Sequence, residues 1–374
     1  MNKRQSKKNT KNVNDKYWGL SDNDMDEVRQ VAQGTADEDM IKRWYNIYPQ
    51  IQKKRSGKIK RRMIEAPSDL LKIAQRRIVD EMIYRQSDTS AYAHGFRKRR
   101  SAKTAAEVHL GQDIVIAMDV RDFFPNISRT MLLEACNKWC GAKMRTRLDD
   151  ILDICTINNR LPQGSPASPP LSNLAARTLD NHLAGACRSK WARFTRYADD
   201  MVFSASEGCA GCKHSMHRLI SGSKRGKTNR IMCDNCYMMG KKLNRVIPWF
   251  KDIIQKDHGF PLNNKKLKIM RPGRRQLVNG LVVNKGLPSP RVPREHRHRT
   301  RAMLHDSLMS ILFDKTPRTK MTVIKGRVEH TRSAYEPHAS DFFNMLSLID
   351  ECKRDDAKKD ETKAMYQTRW AKAA

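Results

Sequence analysis

Two adjacent acids, Asp199 and Asp200, sit inside FTRYADDMVFSA, a segment whose flanks are aromatic and apolar. That pattern predicts two short strands around a tight turn. Neighbouring like charges at such a turn are unfavourable unless a cation holds them. A third acid, Asp119, ends the strand-like run DIVIAMDV (113–120). Between the two strand signals come a helix with Ser128 as N-cap, the loop LPQGSPASPP, and a second helix carrying Leu171, Leu174, Ala175, Leu179 and Leu183 on one face. The order strand, helix, loop, helix, strand, turn, strand predicts an α+β fold and argues against a doubly wound sheet. Three carboxylates at strand ends can bind two Mg2+ ions. Such ions activate a terminal hydroxyl and stabilise a leaving pyrophosphate. An isolated Asp-Asp is ordinary solvated turn chemistry, so the surrounding motifs decide.

Charge narrows the partner. The 374 residues hold 73 Lys+Arg against 40 Asp+Glu, a net +33 that opposes compaction and points to a polyanion. An apolar content of 39% is lean but adequate for one large or two to three small domains. The longest purely apolar run is Ile114 to Met118, far too short for a bilayer span. The first residues, MNKRQSKKNTKN, lack the apolar core of a secretory signal, so a cytoplasmic enzyme or binder is expected.

The company of the acids resembles a reverse transcriptase. AMDVRDFFPNIS, LPQGSPASPPLSN and RYADDMVFS resemble that family's first, second and third palm motifs, in the family's order. The resemblance implies a right-hand polymerase fold with fingers, palm and helical thumb, acting on dNTPs. It makes Asp119, Asp199 and Asp200 the catalytic, Mg2+-binding carboxylates. Phe124 falls where a bulky ring excludes a 2′-hydroxyl, whereas adjacent Phe123 is read as core. Gln163 falls where an amide contacts the nucleotide, and Arg61 and Arg62 where the fingers grip a triphosphate; Arg62 is preferred. Asn263 and Lys266 resemble an N-x-x-K element whose Lys neutralises or protonates the pyrophosphate, against the plain reading of a solvated charge.

Within the family the chain is most similar to bacterial retron enzymes. RMIEAPSDLLKIAQRRI and AHGFRKRRS resemble retron finger segments. AAEVHLG matches an N-A-x-x-H element except that Ala105 replaces Asn, and VNGLVVN matches V-T-G-L-V-V-N except that Asn279 replaces Thr. Expected regions are a basic disordered arm (1–16), N-terminal helices and fingers (17–111), a palm (112–284) and a basic helical thumb (285–374). In the thumb, Arg291, Arg294, Arg297, Arg299 and Arg301 lie on a segment suited to the phosphates of an RNA stem. The resemblance implies a cognate structured noncoding RNA as partner and a branched RNA–DNA product, msDNA. It also implies a separate effector protein and a role in anti-phage defence. Other bacterial reverse transcriptases (group II intron-like or defence-associated) are the nearest alternative. A non-catalytic RNA-binding scaffold on the same fold is a different class.

Four of nine cysteines form Cys209-x2-Cys212 and Cys233-x2-Cys236, separated by twenty residues. This spacing suits a structural zinc ribbon, with four thiolates around one Zn2+, inserted after the acidic turn at about 207–242. Four unligated thiols are the alternative, with His214 and His217 as further candidate ligands. The other five cysteines are expected to be buried thiols.

Overall fold

The computed structural model describes residues 16–53, 59–87, 89–188, 192–206, 246–317, 319–333 and 339–371. The cysteine-rich insertion, with Cys209, Cys212, Cys233 and Cys236, lies outside the described residues, as does the N-terminal arm up to residue 15. The chain divides into two compact units. One comprises Met1–Lys98, Ile116–Phe203 and Glu207–Lys268; the other comprises Arg99–Val115, Ser204–Ser206 and Ile269–Ala374.

In the first unit Ser21 starts helix Asp22–Gln33 through a capping box with Asp24, and the helix buries Met25, Val28, Val31 and Ala32. The sequence predicts short helices as far as Tyr48. Helix Glu38–Trp44 instead ends early, and the chain enters strand β1 (Tyr45–Lys53). Pro49 cannot donate a helical hydrogen bond, and strand β2 (Ile59–Pro67) supplies an antiparallel partner. Gln50 faces Arg62 and Ile51 faces Arg61, so the alternation of a strand sends the two arginines to opposite faces of the hairpin. Ser68 caps helix Asp69–Ile78, which buries Leu71, Ala74 and Ile78 as its apolar spacing requires.

A four-stranded sheet carries the acids. Strands β3 (Ile114–Asp119), β4 (Arg193–Tyr197), β5 (Asp200–Ala205) and β6 (Lys268–Met270) take the spatial order β4-β5-β3-β6. The order places β5 beside β3, which brings the Asp199–Asp200 turn to the end of the strand that finishes at Asp119. Helices Arg129–Trp139, Ser168–Ala175 and Arg177–Arg188 bury Leu132, Leu171, Leu174, Leu179 and Leu183. Each such side chain contributes about 1.5–3 kcal/mol by leaving water.

In the second unit, His109 follows helix Ala102–Val108, is buried, and lies 2.6 Å from Ser204 Oγ through Nδ1. The apolar run RQLVNGLVVN (275–284) has the pattern of a strand, and it folds as two minimal ones, β7 (Leu277–Val278) and β8 (Leu281–Val282). Asn279 (φ 48°) and Gly280 (φ 83°) turn the chain between them. Asn tolerates that left-handed backbone far better than the β-branched Thr of the retron pattern, so the departure suits the turn. Helices Arg294–Leu312, Met321–Ser333, Ala339–Cys352 and Asp356–Ala371 follow, with Leu304, Leu308, Leu312, Ile324, Val328, Phe342 and Ile349 as their common core. Among the described residues no helix is long and apolar enough to cross a membrane.

Candidate active site

Three distant segments are pinned together by backbone hydrogen bonds at Asp119. The Asn263 N–H donates to the Asp119 carbonyl at 2.8 Å, the Val120 N–H to that of Asp199 at 3.0 Å, and the Arg121 N–H to that of Pro261 at 2.8 Å. The acidic turn itself requires Ala198 at φ 55°, a conformation L-residues rarely adopt. It is held from beneath by Arg196, which is fully buried. The Arg196 guanidinium donates to both Asp180 oxygens at 2.7 and 2.9 Å, to Asn173 Oδ1 at 3.1 Å and to the Ala198 carbonyl at 3.2 Å.

The carboxylates are electrostatically crowded. Burial, then the charge of Asp119, raises the Asp199 carboxyl, opposed by its own backbone hydrogen bond and by Lys266 and Arg62. Burial, followed by Asp199 and Asp119, pushes Asp200 up to about 6, although the residue keeps access to solvent. Buried Asp119 is contacted by the Lys266 ammonium through Oδ1. The acids are thus short of positive charge, and Lys266, Arg62 and Lys268 supply what there is.

A cleft of about 440 Å³ is lined by Asp119, Asp199, Arg62, Phe124, Gln163 and Lys266, all named from sequence. Asp200 lies in an adjoining recess with Arg62, Lys266 and Lys268. The strand register explains why Arg62 reaches this cleft and Arg61 does not line it. Phe124 is half-buried at the wall, while Phe123 is core at 6% exposure. Asn263 acts here through its backbone, beyond the side-chain motif that drew attention to it.

Several residues of the site escape sequence reasoning. Buried Glu65 accepts from both Arg160 guanidinium nitrogens, at 2.9 and 2.6 Å, and from the Gln163 N–H at 3.1 Å. The Glu65 N–H returns a bond to the Gln163 carbonyl at 2.8 Å. Gly164 beside it leaves no room for a side chain: a Cβ there would stand 2.8 Å from the Glu65 carbonyl oxygen. An acid within the basic finger segment KIKRRMIEAP is the signal that could have singled out Glu65. Asp180, Asn173, Arg196 and Phe96 carry no comparable local signal.

The arginines expected to bind RNA belong to the second unit. Arg291 precedes the helix and exchanges backbone bonds with Val282 at 2.7 and 3.0 Å; Arg294, Arg297, Arg299 and Arg301 lie on helix Arg294–Leu312. Arg294, Arg299 and Arg301 are exposed, whereas Arg297 is half-buried. Arg301 also stacks over Phe342 at 5.9 Å, and Arg294 Nε bonds His298 at 3.1 Å.

Donor chemistry at the cleft fits Mg2+: hard carboxylate oxygens, two of them destabilised as anions by burial and crowding. Among the described residues no group of three or more Asp, Glu, His or Cys side chains is already arranged around a single ion. The Lys266 contact occupies one Asp119 oxygen.

Residues 51–298 match the sequence profile of the family described as reverse transcriptase (RNA-dependent DNA polymerase). The chain is 31% identical over 273 residues to the retron Mx65 reverse transcriptase of Myxococcus xanthus, covering 69% of this chain and 55% of that protein. It is 29% identical over 272 residues to the retron Mx162 enzyme of the same organism, covering 68% and 51%. With the retron Ec86 reverse transcriptase of Escherichia coli it shares 28% over 261 residues, covering 70% and 69%. It therefore spans about half the length of the two Myxococcus proteins. Its palm motifs, its α+β architecture and the profile match agree: the chain belongs to the reverse transcriptase (RNA-dependent DNA polymerase) family, with bacterial retron enzymes among its relatives.

Proposed function

We propose that this chain is a retron-type RNA-directed DNA polymerase that binds a structured noncoding RNA and copies part of it into DNA. The observation carrying this reading is the single cleft shared by Asp119, Asp199, Arg62, Phe124, Gln163 and Lys266, with Asp200 in the recess beside it. Asp119, Asp199 and Asp200 would hold two Mg2+ ions, which supply hydroxyl activation and charge neutralisation at the transferring phosphoryl group. Arg62 and Lys266 meet the triphosphate, and Lys266 serves the departing pyrophosphate. Phe124 closes the sugar side against a 2′-hydroxyl, and the Gln163 amide meets the nucleotide from the loop opposite.

The thumb arginines Arg291, Arg294, Arg297, Arg299 and Arg301 serve an RNA stem through phosphate contacts. The reading further includes a branched msDNA product, a separately encoded effector and anti-phage defence, which rest on likeness to retron enzymes. The four-cysteine Zn2+ ribbon rests on spacing alone. The test is dNTP incorporation on copurifying RNA, wild type against the Asp199→Asn, Asp200→Asn double variant. DNA synthesis lost with RNA retained supports the polymerase. Equal synthesis by both proteins overturns the assignment of the acids, and no synthesis by either leaves an RNA-binding scaffold as the better reading.

A further inference from the structure

Phe96 is a large apolar side chain left 40% exposed at the edge of the cleft. Its backbone sits at φ 57°, a region that costs a bulky residue free energy and persists only where the surroundings impose it. Here they do. The preceding Gly95 approaches the acidic turn so closely that a Cβ would lie 2.7 Å from the Ala198 nitrogen. The Gly95 carbonyl accepts from Asn173 Nδ2 at 2.9 Å, and the His94 N–H donates to the Arg196 carbonyl at 2.8 Å. The loop is therefore bolted to the same buried Arg196–Asn173 network that fixes the acids, and Phe96 is presented by it.

The Phe96 ring stands 5.9 Å from that of Phe124, tilted by 35°. Phe124 is also 5.8 Å from Phe123, which is buried, packs 5.8 Å from Phe260 and lies under the Arg196 guanidinium at 5.7 Å. The ring of Phe124 is thus held between a buried aromatic and an exposed one. A steric wall discriminates only if it cannot swing aside. Buried Phe123 gives the Phe124 ring one aromatic contact, and Phe96, presented by the bolted loop, gives it a second.

We propose that Phe96 is a specificity-determining residue of the nucleotide site: it braces Phe124 and extends the apolar wall that excludes a 2′-hydroxyl. The inference rests on the deoxynucleotide reading of the cleft given above. An aromatic pair of this geometry is worth about a three- to tenfold preference. Loss of the Phe96 ring should lower discrimination between dNTP and rNTP by about that factor, through KM more than kcat.

The test is single-nucleotide extension of a DNA primer on an RNA template by the full 374-residue chain, with a dNTP and with the matching rNTP. Phe96→Ala and Phe96→Leu are compared with Phe96→Tyr and Phe124→Ala, and thermal unfolding is followed in parallel. The expected result is reduced discrimination in Phe96→Ala and Phe96→Leu, restoration in Phe96→Tyr, and a larger loss in Phe124→Ala. A lower melting temperature with an unchanged dNTP-to-rNTP ratio would make Phe96 merely structural and overturn the inference. Should Phe124→Ala itself leave the ratio unchanged, the sugar-wall reading fails and the role of Phe96 fails with it. Phe96→Leu keeps apolar bulk, so the ring is tested even if the alanine variant folds poorly.

Discussion

Arg196 and Asp180 form a bidentate ion pair in which neither side chain is exposed to solvent, and the same guanidinium holds the Ala198 carbonyl beneath the acidic turn. A pair this deep contributes little net stability as a unit, because both charges lose their hydration. Its removal by halves is another matter. Asp180→Ala leaves a buried cation and should cost about 3–5 kcal/mol in urea-induced unfolding. A loss below about 1 kcal/mol would show that the turn is held by other means. Arg196→Lys keeps charge but loses the planar fork, and should slow nucleotide incorporation.

Glu65 ties the finger hairpin to the loop bearing Gln163. Glu65→Gln keeps the shape and halves the ionic match to Arg160, which retains 30% side-chain exposure and so some hydration. The expected result is about a 1–3 kcal/mol loss of stability, with KM for dNTP rising while kcat changes less. Steady-state kinetics and a melting curve separate the two effects; an unchanged KM would remove the positioning role.

The raised Asp199 and Asp200 carboxyls set a pH dependence. Each binds its proton more tightly folded than unfolded, so in metal-free protein both contribute a loss of stability as pH rises from the unfolded carboxylate range through their raised folded values, about 6 for Asp200. Mg2+ competes for the same oxygens, so its affinity should weaken as pH falls below about 6, by up to about tenfold per unit for one titrating group. Melting curves with and without Mg2+ check this. The Mg2+-induced rise should be larger at pH 7.5 than at pH 5, and equal rises would contradict it.

Elemental analysis of natively purified protein should find about one zinc per chain if the two knuckles form a four-thiolate site. Cys233→Ser with Cys236→Ser should abolish it. Zinc retained by that variant would remove Cys233 and Cys236 from the ligand set.

Arg294→Ala with Arg299→Ala should weaken RNA binding with little regard to sequence. The slope of log affinity against log salt should fall by about 0.7–0.9 per lost phosphate contact. An unchanged slope would place the RNA elsewhere.

Much of the site is legible along the chain because each motif is local. Asp119 ends an apolar strand, Asp199 lies in a hairpin turn with Asp200 opening the next strand, and Ser128 and Ser68 precede the helices they cap. Reading stops where an element depends on its neighbour. The stretch Tyr45 to Tyr48 suits a helix by spacing, but hydrogen bonding to Ile59–Pro67 makes it the start of a strand. The same pairing decides between Arg61 and Arg62, since adjacent residues of a strand face opposite ways and only the register says which way is inward.

Candidate chemistry, then, is legible in the sequence: the carboxylates, the ring and the cations that the structure gathers at one cleft and its adjoining recess, and an excess of base. Support was not. Arg196 meets Asp180 and Asn173, Glu65 meets Arg160, and Phe96 meets Phe124 across intervals that no short-range pattern spans. A catalytic motif repeats because its reacting atoms demand one local arrangement. A buried ion pair or ring contact demands only that two side chains arrive at the same place, and that is decided when the sheet and helices pack.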